Sequence, residues 1–211
     1  MKRTFSSKRK HCLAGVSVFL LVAALIVGTV GCTAPTRPTI PPSQNLEIRT
    51  WYDLNAIRNN PAGNHTLMND LDSTIAGYAE LASPTANGGK GWEPIATYVA
   101  EGGFLGFMGS FDGREHEIRD LFINRPDEDF VGLFRYILAT GEFGQYVEGV
   151  LRDVGVANAT VTGKDKVGGL VGHNDGTVSN SYFIGNVTGG GYAVGGLVGL
   201  NRGTVGSSYF T

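Results

Sequence analysis

The sequence predicts an all-β fold, a right-handed parallel β-helix (solenoid) with a short N-terminal capping helix, and three observations lead there. Val167-Gly-Gly-Leu-Val-Gly172 recurs as Val194-Gly-Gly-Leu-Val-Gly199, an offset of 27 (194 − 167) that marks units stacking on one another. Of 211 residues, 32 are glycine, roughly twice the average usage of about 7%, a density suited to tight turns and close backbones. Beyond Asn64 the apolar stretches are short, β-branched or aromatic, and broken by Gly. No helical period is sustained there over three turns.

The first element is a targeting segment, 1–32. Lys2, Arg3, Lys8, Arg9 and Lys10 precede an apolar run from Leu13 to Val30, the order of an export signal. The run ends in Thr29-Val30-Gly31-Cys32. That end resembles a bacterial lipobox, which implies that Cys32 is lipidated and becomes the mature N-terminus; Thr29 stands where a Leu-like residue is usual. The other reading is an uncleaved signal anchor, because the run is close to the roughly 18 residues a span needs. Either way the body lies outside the cytoplasm, since the positive charge precedes the span. The cysteines are Cys12 and Cys32, so the body has no disulfide framework and no thiolate metal site.

Residues 33–45 hold four of the eight prolines and read as an extended linker that keeps the body off the membrane. The body starts with 46–165, an N-terminal part with the capping helix and degenerate coils. Thr50-Trp-Tyr-Asp53 fits a capping box, Leu54 and Ile57 share a helical face, and Pro61 with Gly63 ends the segment. Such a helix would cover the apolar end of the first coil.

Two repeats occupy 166–211. After the Val-Gly-Gly-Leu-Val-Gly core, Asn174-Asp175-Gly176-Thr177-Val178 matches Asn201-Arg202-Gly203-Thr204-Val205, and Ser181-Tyr182-Phe183 matches Ser208-Tyr209-Phe210. Stacked units would set equivalent side chains roughly 4.8 Å apart. Asn174 over Asn201 then forms an amide ladder, and Tyr182 over Tyr209 an aromatic stack. Leu170, Leu197, Val171, Val198, Val178 and Val205 supply the interior. Asp175 falls over Arg202, an exposed charge pair worth under about 1 kcal/mol. The Gly-Gly pairs are expected to allow φ > 0 and to leave room where coils bend.

This pattern resembles the GLUG repeat of bacterial and archaeal surface proteins. Looser marks upstream are Gly63 to Asp72, Trp92-Glu-Pro-Ile95, Phe111-Asp-Gly113 and Val131-Gly-Leu-Phe134. The resemblance implies a secreted or surface-attached, adhesin-like architecture with β-helical stacking. It also implies that some such regions are non-catalytic parts of large surface proteases.

No residue stands as a catalytic, cofactor-binding or metal-binding candidate, and no cofactor is expected. His116-Glu117 begins a zinc-protease pattern that fails at Asp120, leaving a polar turn. His65 and His173 show no ligand spacing and are expected at the surface or in turns. Asp70, Asp72 and Asp127-Glu128-Asp129 lack a calcium-loop spacing. From Val167 onward there is one Asp, one Arg and no Glu, which cannot supply the paired carboxylates of glycoside cleavage. The sequons at Asn64, Asn158 and Asn186 matter only in a glycosylating host. Tyr52, Tyr78, Trp92, Tyr98, Tyr136 and Tyr146 are candidates for sugar or protein recognition, most of them expected to be buried.

A net charge of −2 offers nothing to nucleic acid. The expected partners are a membrane, through a lipid anchor or signal anchor, and an extracellular protein or glycan. The expected function is a surface-displayed structural or adhesion-type repeat protein, not an enzyme. The alternative is an accessory region of a larger surface protease, or a fragment of a longer surface protein. The stop in repeat register at Thr211 prompts the expectation that the open end continues or pairs.

Overall fold

The computed structural model describes residues 45–95, 97–99, 103–142 and 145–211. The targeting segment with Cys32, and the linker up to Ser43 and Gln44, lie outside the described residues. What is described is all-β in character, with short and mostly parallel strands and few helices.

Three sheets carry the body. In the first, Glu47–Ile48, Asn64–Leu67, Ser110–Asp112, Val150–Arg152, Thr177–Ser179 and Thr204–Gly206 lie side by side in chain order, every pair parallel. In the second, Glu117–Arg119 and Phe122–Asn124 both pair with Gly155–Gly163, which is followed by Tyr182–Gly189 and Tyr209–Phe210. The third joins Phe134–Ile137, Val171–Asn174 and Val198–Asn201. Val167–Gly168 pairs with Val194–Gly195.

Strand neighbours in the last units are one repeat apart: Val150 faces Thr177, and Thr177 faces Thr204. Alternate residues of each strand point inward, and these form columns. Phe111, Leu151 and Val178 follow one another in the first sheet, Ile118, Val156 and Phe183 in the second, and Phe134 and Val171 in the third. All are fully buried. The same columns surface in the last unit, where Val205 is 39% and Phe210 46% exposed. Leu170 is buried, while Leu197 and Val198 are only partly so, because no further unit covers them among the described residues.

The chain turns between strands through left-handed residues that also stack. Asp153, Asn180 and Ser207 have φ of 54°, 47° and 47°, and Lys166 and Ala193 have 53° and 57°. Asp and Asn take this conformation most readily among non-glycine residues. The glycine pairs do not adopt it: Gly168, Gly169, Gly195 and Gly196 have no positive φ, contrary to expectation. Their reason is close approach. A Cβ on Gly169 would lie 2.3 Å from the Phe183 ring, and one on Gly168 would lie 2.3 Å from the Val171 carbonyl oxygen.

Upstream, insertions break the period. Ile137 and Val150 are 13 apart, whereas their partners Asn174 and Thr177 are 3 apart. The difference holds an antiparallel hairpin, Ala139–Glu142 with Gln145–Glu148. A second hairpin joins Thr97–Val99 and Gly103–Leu105. A single α-helical turn, Tyr78–Leu81, is too short for any periodicity to announce.

The helix Trp51–Ala56 begins in the expected capping box: Thr50 Oγ1 accepts from the Asp53 amide, and the Asp53 carboxylate accepts from the Thr50 amide. Trp51, Leu54 and Ile57 are fully buried in the same core as the sheets. Trp51 Nε1 donates to the Asp72 carbonyl at 2.9 Å, and its ring meets those of Tyr78 and Trp92 at 5.7 Å. Among the described residues no helix is long and apolar enough to cross a membrane.

Candidate functional site

The repeat residues come together as columns. Asn174, fully buried, donates from Nδ2 to Asn201 Oδ1 at 2.7 Å and to the Thr204 carbonyl at 3.2 Å. Its Oδ1 accepts the Gly176 amide at 3.1 Å. One amide thus closes its own turn and holds the turn of the next unit. Ser181 and Ser208 form a second column: each Oγ donates 2.7 Å to the carbonyl two residues back, and Ser208 Oγ accepts the Ser181 amide.

Tyr182 and Tyr209 stack at 5.2 Å with planes 13° apart. Tyr182 lies across Gly155, where a Cβ would be 2.3 Å from its ring, and donates its hydroxyl to Glu117. Burial first, then that bond, pushes the Tyr182 phenol up to about 12. Phe183 and Phe210 stack likewise at 6.1 Å. Asp175 does not pair with Arg202 as its register suggested, since Tyr136 donates its hydroxyl to Asp175 instead.

The other sequence candidates scatter. His65 and His173 are not at the surface: they are 1% and 7% exposed. His65 Nε2 lies 2.9 Å from the Asn60 carbonyl, and its ring packs 6.0 Å from Phe107. Burial lowers the pKa of both imidazoles. His116 Nδ1 contacts Asp70 Oδ1 at 3.0 Å, and Asp72 accepts from Thr74 in a local turn. Among the described residues no three His, Cys, Asp or Glu side chains are placed to hold a metal ion. Within Asp127-Glu128-Asp129, Glu128 is the hub of an ion-pair knot, reaching Arg125 at 2.8 Å and Arg135 at 3.0 Å. Trp92 is buried, Tyr52 is 50% exposed, and the side chains of Tyr98 and Tyr146 lie outside what the structure describes.

One feature leaves no mark in the 27-residue period. Phe130, Arg135, Tyr136 and His173 line a cleft of about 300 Å³. The His173 ring stacks on Tyr136 at 4.6 Å and on Phe130 at 5.9 Å, within 17° and 15° of parallel. His173 and Tyr136 are register partners on neighbouring strands, so the signal was present only once an offset of 37 (173 − 136) replaced 27. His173 Nε2 lies 3.0 Å from Asp175 Oδ1 but out of line, so both buried atoms lack a hydrogen-bond partner.

The turn geometry above belongs to a recognised pattern, for residues 166–188 match the model of the GLUG motif. The chain carries a GLUG repeat. Over 151 residues, 70% of its length, it is 38% identical to halomucin of Haloquadratum walsbyi, of which it covers 2%. Over 96 residues it is 34% identical to a Gly-rich membrane protein of Evansella cellulosilytica, covering 44% of this chain and 10% of that protein. The GLUG-bearing chain therefore spans a small part of these relatives. No solved structure matches it. The motif's glycines are now physically placed: Gly169 sits against Phe183, and a Cβ on Gly172 would lie 2.5 Å from the Phe130 backbone.

Proposed function

We propose that this is a surface-displayed, membrane-anchored structural repeat protein of adhesion type, without catalytic activity, built as a right-handed parallel β-helix. The observation that carries the reading is the column geometry: like side chains one repeat apart are in direct contact at Asn174/Asn201, Tyr182/Tyr209 and Phe183/Phe210. A chain that spends its polar side chains on holding unit to unit is a scaffold. Its repeats carry one Asp and one Arg and offer no acid/base pair. The helix at Trp51–Ala56 caps the first coil. The N-terminal basic and apolar segment with Cys32, then the Pro-rich linker, supports export and anchoring. The name of the Evansella relative, a membrane protein, agrees. Extracellular protein or glycan is the expected partner.

A second reading is favoured by coverage: the aligned span is 2% and 10% of the two relatives, so this region serves equally as an accessory part of a longer surface protein. Three experiments test the proposal. Labelled fatty acid should enter the chain in cells and fail to enter Cys32→Ser, and protease added outside intact cells should remove the body. Deleting residues 168–194, one repeat, should leave a cooperatively folded protein, whereas deleting 20 residues from the same point should not. A body protected inside the cell sinks the display reading, and equal collapse of both deletions sinks the stacked-coil reading.

A further inference from the structure

We propose that the cleft of Phe130, Arg135, Tyr136 and His173 binds one acidic pyranose, a uronate-type sugar of an extracellular polysaccharide. The inference deepens the adhesion reading and rests on its extracellular placement.

Size argues first. About 300 Å³ is at the small end of the roughly 300–1,000 Å³ usual for ligand pockets, room for a single small ring and not for a peptide helix. Shape argues next. Phe130 and Tyr136 both lie nearly parallel to His173, so the cleft presents flat ring carbon. Burial lowers the His173 pKa, so the imidazole under these rings is neutral at physiological pH and the stack carries no charge of its own. A pyranose offers a flat C–H face whose weakly positive hydrogens suit the negative face of an aromatic ring.

Charge chooses among sugars. Lys166 Nζ stands 4.0 Å from the Phe130 ring centroid and 5.3 Å from that of Tyr192. No carboxylate of the described residues lies within 4.0 Å of it. Of the nearby acids, Asp175 takes the Tyr136 hydroxyl through one oxygen and Glu128 takes Arg125 and Arg135, while Asp175 Oδ1 and Asp129 Oδ1 are buried without a hydrogen-bond partner. Arg135, on the cleft wall, is held in place by Glu128 and by the Asp129 carbonyl at 2.8 Å. A cation resting on one lining ring, Phe130, and a fixed guanidinium lining the same cleft, Arg135, are together the recognition chemistry of a carboxylate carried on a ring.

Calorimetric titration of the full chain with oligogalacturonate, and separately with maltooligosaccharide, tests this. Oligogalacturonate should bind and the neutral glucan should bind at least about tenfold more weakly. Phe130→Gly should weaken uronate binding about tenfold while still folding, because glycine suits the φ of 59° that Phe130 holds. Lys166→Ala should weaken it similarly and flatten its salt dependence. Absence of uronate binding by the folded chain, equal affinity for the neutral glucan, or indifference to both variants would overturn the inference. A chain that reaches the surface yet binds no uronate removes the cleft assignment alone; protease protection in intact cells removes the display reading independently of any titration.

Discussion

Gly169→Ala isolates the packing that defines the repeat. The new Cβ would lie 2.6 Å from the Gly196 carbonyl oxygen and 2.3 Å from Cγ and Cδ2 of Phe183, the ring carbons more than 1 Å inside ordinary contact of about 3.5–4.0 Å. Phe183 is fully buried beneath the Phe210 ring, so it has nowhere to move. Overpacking of this kind costs about 1–3 kcal/mol, against a gain of about 0.4–1 kcal/mol from stiffening the unfolded chain; the net is a loss of about 1 kcal/mol. The equivalent Gly196→Ala puts its Cβ 2.0–2.3 Å from the Phe210 ring, whose atoms are its three nearest neighbours. That ring is 46% exposed and swings out, so the change should stay within about 0.5 kcal/mol. Urea unfolding followed by fluorescence of the two tryptophans reports both variants, since Trp51 and Trp92 are buried. Adding Phe183→Ala to Gly169→Ala should recover at least about 1 kcal/mol of coupling energy, with the Gly196 carbonyl limiting full recovery. Equal effects at Gly169 and Gly196, or no coupling to Phe183, would refute the close-approach account.

Other expectations follow from single contacts. Asn174→Ala should destabilise by about 2–3 kcal/mol, because it strips partners from the Gly176 amide and Thr204 carbonyl, and the exposed Asn201→Ala by clearly less; urea midpoints compare them. Glu128→Ala should cost about 3–5 kcal/mol by stranding the buried Arg125 guanidinium, whereas Glu93→Ala, 4.0 Å from Arg58 at an exposed position, should be nearly silent. The His65 and His173 pKa values lie below the ordinary imidazole value of 6.5, so the unfolded chain binds more protons as pH falls below 6.5. Stability should therefore drop from that pH downward, and His173→Gln should flatten part of the slope. Tyr136 and Tyr182, raised to about 12, hold protons that unfolded tyrosine loses near 10. Stability should fall between pH 10 and 12, and tyrosinate absorbance should lag there until the chain unfolds.

The repeat region was legible because its spacing is constant: with 27 residues per unit, sequence offset and spatial neighbour coincide, as Thr177 and Thr204 show. The capping box was legible because Thr50 and Asp53 act within one turn. Upstream, the same strand-on-strand contact joins Ser110 to Val150 and Asn64 to Ser110, 40 and 46 residues apart. Hairpins and helical turns inserted at corners vary the offset without disturbing the columns, so no fixed period survives. The histidines were misjudged for a related reason. A lone His in a Gly-rich strand reads as a turn residue, and only the partner strand shows that Tyr136 covers it.

The cleft sits where the repeat departs from itself, and this is physically necessary. In the column through Tyr136, His173 and Leu200, aromatic and imidazole rings give way to an aliphatic side chain as the units become regular. In the corner column, Phe130 precedes Lys166 and Ala193 along the chain, and the last two are one repeat apart. Identical units in register bury identical side chains against each other and leave flat walls. A concavity arises only where neighbours differ in size, as Phe130 and Tyr136 differ from Ala193 and Leu200. Regular units thus set the scaffold, and the irregular unit before them supplies the relief a small ligand can enter. On that argument His173→Leu, which imposes the later unit's residue on the earlier one, should leave the fold intact and abolish the ring stack on Tyr136. The Tyr136 phenol would keep its Asp175 acceptor while losing part of its cover, and its titration would move back toward 10.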